Sequence, residues 1–198
     1  MAPKQQRGEA TVDLLLDTAL RVYAASGRQG FTVNAVTAAS GVSFGSHYHH
    51  SGSFDGLAAA LYIRCQDQLC DPVVAAVTRS RTARTGVQAF VKAYLDFTRE
   101  HRDVATFVHA SAYSRYLTAH AKEVAAAKEA KFAAIASWMY ARVAAGEVAV
   151  LPDQMIEVLL VGPVAETAHR WLAGTYEGDL DEAIRVLPDR IWRSLRAD

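Results

Sequence analysis

The sequence has few means of covalent or metal bracing. It has two cysteines in 198 residues, Cys65 and Cys70. They stand five apart on an expected helix, which turns them away from each other, so a disulfide between them is not expected. They read as buried small hydrophobes. Prolines number five, and 51% of the residues are hydrophobic, which argues against low-complexity disorder over most of the length. No apolar run is long enough to span a bilayer. The first residues, "MAPKQQRGEA", place no apolar stretch behind their charges, so they do not read as a signal peptide. A cytoplasmic protein with no membrane partner is expected. Charge of one sign is lacking too: 21 Lys and Arg face 21 Asp and Glu. Charge alone therefore gives no evidence for a nucleic-acid partner. A chain of this length fits one compact domain, or a small module joined to a larger one.

What the sequence does have is helical period almost everywhere, with no convincing strand alternation. The first helix is expected from about Gly8 to Ala25. Its stripe is Val12, Leu15, Leu16, Ala19, Leu20 and Tyr23, at three-and-four spacing. "SGRQG" stops it. Thr32 is the expected N-cap of a short second helix, Val33 to Ala39, and Gly41 supplies the left-handed turn after it. Ser43 can cap a third short helix to about His50. Ser53 caps a long fourth, with Asp55 in its first turn where the helix dipole favours it. Further helices are expected near Thr85–Glu100, Asp103–Leu117, Ala121–Ala145, Pro152–Ala173 and Leu180–Leu195. The fold class is all-α: a three-helix head with a helix-turn-helix over 1–56, and a larger helical bundle body over 57–198.

A helix-turn-helix places the start of its second helix in the DNA major groove. The stretch "LLLDTALRVYAASGRQGFTVNAVTAASGVSFGSHYHHSGSFDGL" resembles the DNA-binding head of the TetR family of bacterial transcriptional regulators. Gly41, Val42, Ser43, Gly45, Ser46, Tyr48, His50, Ser53 and Leu57 fall on that family's pattern. The resemblance covers about the first 60 residues. It implies DNA contacts from Thr32, Ser43, Phe44, Gly45, Ser46, Tyr48, His49 and His50. Tyr48 and His50 are implied as phosphate or base contacts. Ser43 and Ser46 offer phosphate donors at a helix start, and Phe44 can touch a thymine methyl. Four positions depart from the pattern. Phe44 stands where a basic residue is usual, His47 replaces an aliphatic, Ser51 a bulky apolar residue, and Phe54 a phosphate-gripping lysine. Residues 1–56 hold four cations, Lys4, Arg7, Arg21 and Arg28, against four acids, Glu9, Asp13, Asp17 and Asp55. Modest non-specific DNA affinity is therefore expected.

His47, His49 and His50 invite a metal reading. His47 and His50 share a helix face, but two histidines do not complete a tetrahedral site, and no Cys, Asp or Glu stands beside them at ligand spacing. No nucleophile with an orienting partner is visible. No metal site, no catalytic residue and no cofactor is expected, and the chain does not read as an enzyme. His49 and His50 are expected to face DNA, and His47 the head's core.

The family resemblance implies a pocket for a small apolar effector in the body. His109, Tyr113, Tyr116, Trp138 and His169 are candidates, because each puts a polar group on an apolar stretch. It also implies a homodimer through the last two helices. "MIEVLLVGPVAETAHRWLA" is apolar almost all round, with Pro163 expected to kink it, and the final helix carries Leu180, Ile184, Leu187, Ile191 and Leu195 on one stripe that Pro188 interrupts. Leu159, Pro163, Trp171, Ile184, Leu187 and Ile191 are the expected interface residues. The function expected is a ligand-responsive regulator, a repressor, binding a palindromic double-stranded operator as a dimer. The alternative is a similar helical protein that binds a ligand or partner with weakened or lost DNA binding.

Overall fold

The computed structural model describes residues 3–42, 53–111 and 115–197, with side chains described for all of these but 3–7, 9, 115 and 116. Among the described residues the architecture is all-α, with nine helices and no strand. They are α1 (Pro3–Gly30), α2 (Val33–Ser40), α3 (Phe54–Thr78), α4 (Ala83–Glu100), α5 (Arg102–Ser111), α6 (Arg115–Ala119), α7 (Ala121–Ala144), α8 (Asp153–Leu172) and α9 (Leu180–Leu195). No helix of the described residues is long and apolar enough to cross a membrane.

The chain divides into two compact units. The first comprises Met1–Gln66 and Thr106–Ala127, and the second Asp67–Ala105 and Lys128–Asp198. The division falls within α3, α5 and α7, and the expected boundary at 56/57 lies inside the first unit.

In the first unit, α1 buries four residues of the expected stripe, Leu15, Leu16, Ala19 and Tyr23, with Thr18 beside them, and leaves Val12 and Leu20 half-buried. Thr18 is satisfied by the Arg21 guanidinium, which donates to its hydroxyl at 2.9 Å. The helix begins earlier than expected, with Pro3 at its first position, where a missing N–H costs nothing. It breaks inside "SGRQG", where Gly27 takes φ 63° and ψ −167°. Arg64 of α3 donates to Asp17 at 2.7 Å and lies 4.0 Å from Asp13, so α3 is tied across α1.

In the second unit, α4 packs against α8 and α9. It starts two residues before its expected position because Thr82 and Thr85 form a reciprocal capping box. Its inner face buries Val87, Phe90, Val91, Tyr94 and Leu95. Trp138 of α7 packs on Gly86 of α4, and a Cβ there would stand 2.1 Å from the ring's Cη2. The indole N–H donates to the Ser80 carbonyl at 3.1 Å, and the Arg142 guanidinium lies over the ring at 4.9 Å from its centroid. Arg142 also donates to the Ser80 carbonyl and faces Glu147 at 3.5 Å, and Glu147 accepts from the Ala83 N–H at 2.7 Å. One carboxylate thus caps α4 and holds the arginine. α8 and α9 run on through Pro163 and Pro188. Pro188 is buried, so the α9 stripe continues past it rather than being interrupted.

Both cysteines are free and buried. Burial pushes the Cys65 thiol up to about 12 and the Cys70 thiol up to about 11. Both should resist iodoacetamide at pH 8 in the native protein and react once it is denatured. A raised folded-state value favours the native state below the ordinary thiol value of 9.0 and loses that contribution as pH climbs through the folded one, so stability should fall from about pH 9 to about 11 for Cys70 and to about 12 for Cys65. Rapid native-state labelling of either thiol would contradict their burial. Gly86→Ala should cost about 1–3 kcal/mol in a denaturant titration, because the ring must move off a packed seat. Trp138→Leu combined with it should recover part of that loss; simple additivity of the two costs would mean that they do not meet.

Candidate nucleic-acid interface and its support

The head is assembled from local backbone chemistry. Thr32 adopts an extended backbone, φ −132° and ψ 157°, and its hydroxyl accepts from the Ala35 N–H at 3.2 Å. That cap starts α2 where the sequence placed it. Gly41 ends it at φ 68° and ψ 3°, its N–H donating to the Thr37 carbonyl at 3.1 Å. Ser40 tightens the turn by accepting from the Val42 N–H at 3.2 Å. Cap, short helix and left-handed glycine have the form that the first half of a helix-turn-helix takes. Ser43, Phe44, Gly45, Ser46, Tyr48, His49 and His50, with His47 and Ser51, lie outside the described residues. The described chain resumes at Ser53, whose hydroxyl accepts from the Gly56 N–H at 2.9 Å and caps α3 as expected.

Phe54, at the first position of α3, is half-buried. Its ring meets Phe31 at a centroid distance of 4.9 Å. Phe31 in turn meets Tyr23 at 5.5 Å and Phe107 at 5.8 Å, both nearly edge-on. Tyr23 and Phe107 close the cluster at 4.8 Å and 88°. Edge-to-face pairs of this kind stabilise beyond the area they bury. The position where the family pattern has a lysine is therefore an aromatic packing position here. Sequence reasoning named Phe54 as a missing cation and overlooked its partners. The signal available was three aromatics, Tyr23, Phe31 and Phe54, at the edges of the head's helices. Phe107, 53 residues further on, gave no local sign of joining them.

The charge count over residues 1–56 also missed a partner. Asp13 and Asp17 face Arg64, which lies beyond that window. Two of the head's four acids are thus already countered.

The effector candidates are divided between the two units. His109 is half-buried on α5 in the first unit. Trp138 and His169 belong to the second unit, where Trp138 is held between Gly86 and Arg142 and His169 is exposed near the end of α8. Tyr113 and the side chain of Tyr116 lie outside what the structure describes. Of the interface candidates, Leu159, Ile184 and Leu187 are half-exposed and Pro163 is exposed. Trp171 is half-buried and carries the Arg102 guanidinium 4.6 Å from its ring centroid. Ile191 is covered by its own chain. Met155 and Val158 on α8 and Val186 on α9 are the large apolar side chains these two helices expose. Among the described residues no three His, Cys, Asp or Glu side chains are grouped closely enough to hold a metal ion.

No protein-family model and no curated protein sequence matches the chain. Solved structures do. A TetR family transcription regulator from Marinobacter aquaeolei VT8 matches with a TM-score of 0.79 at 20% identity, covering 98% of this chain and 100% of that one. A TetR family transcription regulator from Shewanella sp. PV-4 matches with a TM-score of 0.80 at 16% identity, covering 95% and 99%. The transcriptional regulator FadR from Bacillus subtilis, solved with stearoyl-CoA, matches with a TM-score of 0.75 at 14% identity, covering 90% and 96%. Over 95% or more of its length, the chain has the all-α fold of solved TetR family transcription regulators.

Proposed function

We propose that the chain is a ligand-responsive DNA-binding transcriptional regulator, acting as a repressor on a palindromic operator as a homodimer. The observation that carries this reading is the head. Thr32, α2 and the left-handed Gly41 lead straight into the segment whose residues fall on the DNA-binding pattern. Ser43, Phe44, Gly45, Ser46, Tyr48, His49 and His50 are the proposed contacts, with Thr32 at the neighbouring helix start.

Ligand response is supported by α5. Its Phe107 is fully buried against Tyr23 and Phe31, so any shift of α5 is felt by α1 and by the approach to α2. What is buried supports an apolar effector class. Among the described residues, no Asp, Glu, Lys, Arg or His lies in the buried core. A charged ligand group would find no buried partner there, so an effector whose enclosed part is apolar fits. Dimerisation is supported by Met155 and Val158 on α8 and Val186 on α9, which expose apolar surface that a second copy would cover.

One observation favours the alternative, a ligand- or partner-binding protein with weakened DNA binding: Phe54 packs on Phe31 where a phosphate-gripping cation would stand. The two readings separate in a gel-retardation assay on the protein's own upstream region. A specific complex is expected, with two half-sites about 34–36 Å apart. Tyr48→Ala and His50→Ala should each weaken it. The parent slope of log K against log [salt] should be shallow. Phe54→Lys should steepen it by about one unit per newly contacted phosphate, relative to Phe54→Leu, which removes the ring without adding charge. No specific complex on any upstream fragment would leave the alternative standing. For assembly, Leu159→Glu should give monomers by light scattering, because an unpaired charge in a covered face is costly. A dimer mass unchanged by that substitution would move the interface elsewhere.

A further inference from the structure

The zero net charge hides an uneven distribution. In the second unit, three segments meet at one end: the loop between α3 and α4, the end of α7 with the loop after it, and the end of α9. The Ser80 carbonyl accepts from Trp138 and Arg142, and Glu147 joins Arg142 to the start of α4. The Ala149 N–H donates to the Leu195 carbonyl at 2.8 Å, the Ala197 N–H donates to the Glu147 carbonyl at 3.2 Å, and Val148 and Arg196 form an antiparallel bridge. Arg84 pairs with Asp189 at 3.0 Å.

Residues 78–90, 138–153 and 186–197 place six exposed arginines here: Arg79, Arg81, Arg84, Arg190, Arg193 and Arg196. Arg142 makes seven. Among the described residues of these segments stand three carboxylates, an excess of four positive charges in a chain that sums to zero. Each carboxylate is engaged: Glu147 by Ala83 and Arg142, Asp153 by the Tyr140 hydroxyl at 2.6 Å, and Asp189 by Arg84. The five lysines of the chain all lie outside these segments. Helix dipoles explain part of this, since α3, α7 and α9 end here and a cation near each C-terminus offsets its partial negative charge. One cation per terminus would suffice for that. Arg84 moreover stands at a helix start, where the dipole disfavours it.

We propose that this arginine-rich end docks double-stranded nucleic acid through its phosphate backbone, without reading bases and independently of the head. Guanidinium forks bind phosphate in two-point fashion, which lysine does not, and this end uses arginine alone. A duplex is the occupant proposed: arginine forks answer its dense phosphates, and the Trp138 ring is already met by Gly86 and Arg142. A lipid surface fits less well. Val150, 88% exposed, is a single apolar tip, and one valine does not make an insertion face.

The test uses the full chain and a duplex lacking any inverted repeat, over a salt series. Three proteins are compared: the parent, Arg79→Glu/Arg81→Glu, and the head variant Tyr48→Ala/His50→Ala. The arginine variant should bind about tenfold or more weakly at low salt, and its log K against log [salt] slope should flatten by about 0.9 for each phosphate it no longer neutralises. A second variant, Arg193→Gln/Arg196→Gln, should act in the same direction, while the head variant should bind this duplex as the parent does. Equal binding by parent and both arginine variants would overturn the proposal. So would arginine-dependent sedimentation with phosphatidylglycerol vesicles in the absence of duplex binding. Operator recognition is scored on a separate fragment, so its failure would count against the head alone.

Discussion

Phe107 is the side chain on which the first unit depends. It is fully buried, and it meets Tyr23 of α1 and Phe31 of the α1–α2 turn, each nearly edge-on. Phe31 passes the contact on to Phe54 at the start of α3. Four rings thus bring α1, the approach to α2, the start of α3 and the end of α5 to one point. Packed interiors do not deform continuously, so displacing any of these rings requires the others to repack. The direction of α2 is further fixed by Thr32, which stands next to Phe31 and caps the helix. The geometry of the short helix therefore rests on an aromatic cluster one residue away.

Much of this was legible in the sequence, and the reason is locality. A helix cap, a left-handed glycine and an apolar stripe are decided within a few residues. Thr32, Gly41 and Ser53 stand where local chemistry put them. α9 spans its expected residues because Asp179 caps it and its stripe has one clear period. What was not legible is long-range. Phe107 lies 76 residues from Phe31, and no periodicity announces that the two rings will meet. Trp138 read as a polar handle on an apolar stretch. Its indole N–H is in fact committed to Ser80, and its ring to Gly86 and Arg142. Ile191 read as part of an exposed stripe, yet its own chain covers it. In each case the periodicity identified an apolar face without saying which neighbour covers it.

Charge shows the same limit. A sum over the chain, or over residues 1–56, weighs every charge equally wherever it lies. The fold does not. Asp13 and Asp17 are met by Arg64, and the arginines around Ser80 and Arg196 are drawn to one end of the second unit. Phosphate affinity depends on local density of cations within a screening length of about 8–10 Å, so a neutral total is compatible with a strongly basic face. Neutrality therefore argues against a polyanion partner only when the charges are also spread evenly, and here they are not.

Packing and charge compete at Phe54. One position at the start of α3 cannot both pack a ring on Phe31 and hold a cation towards phosphate. The aromatic choice extends the cluster that orients α2, which favours a head of fixed shape. The cost is a sequence-independent phosphate contact at that point. On the proposed reading, the head would then rely more on shape and on the few donors of residues 43–50 than on cations, which suits discrimination between sites better than tight non-specific holding. Cations are still present in the chain, but they are concentrated at the end of the second unit rather than in the head. The departures at Phe44 and Phe54, which taken alone weaken a DNA-binding reading, are thus consistent with a division of labour, in which shape is set by aromatics in one unit and charge is gathered by arginines in the other.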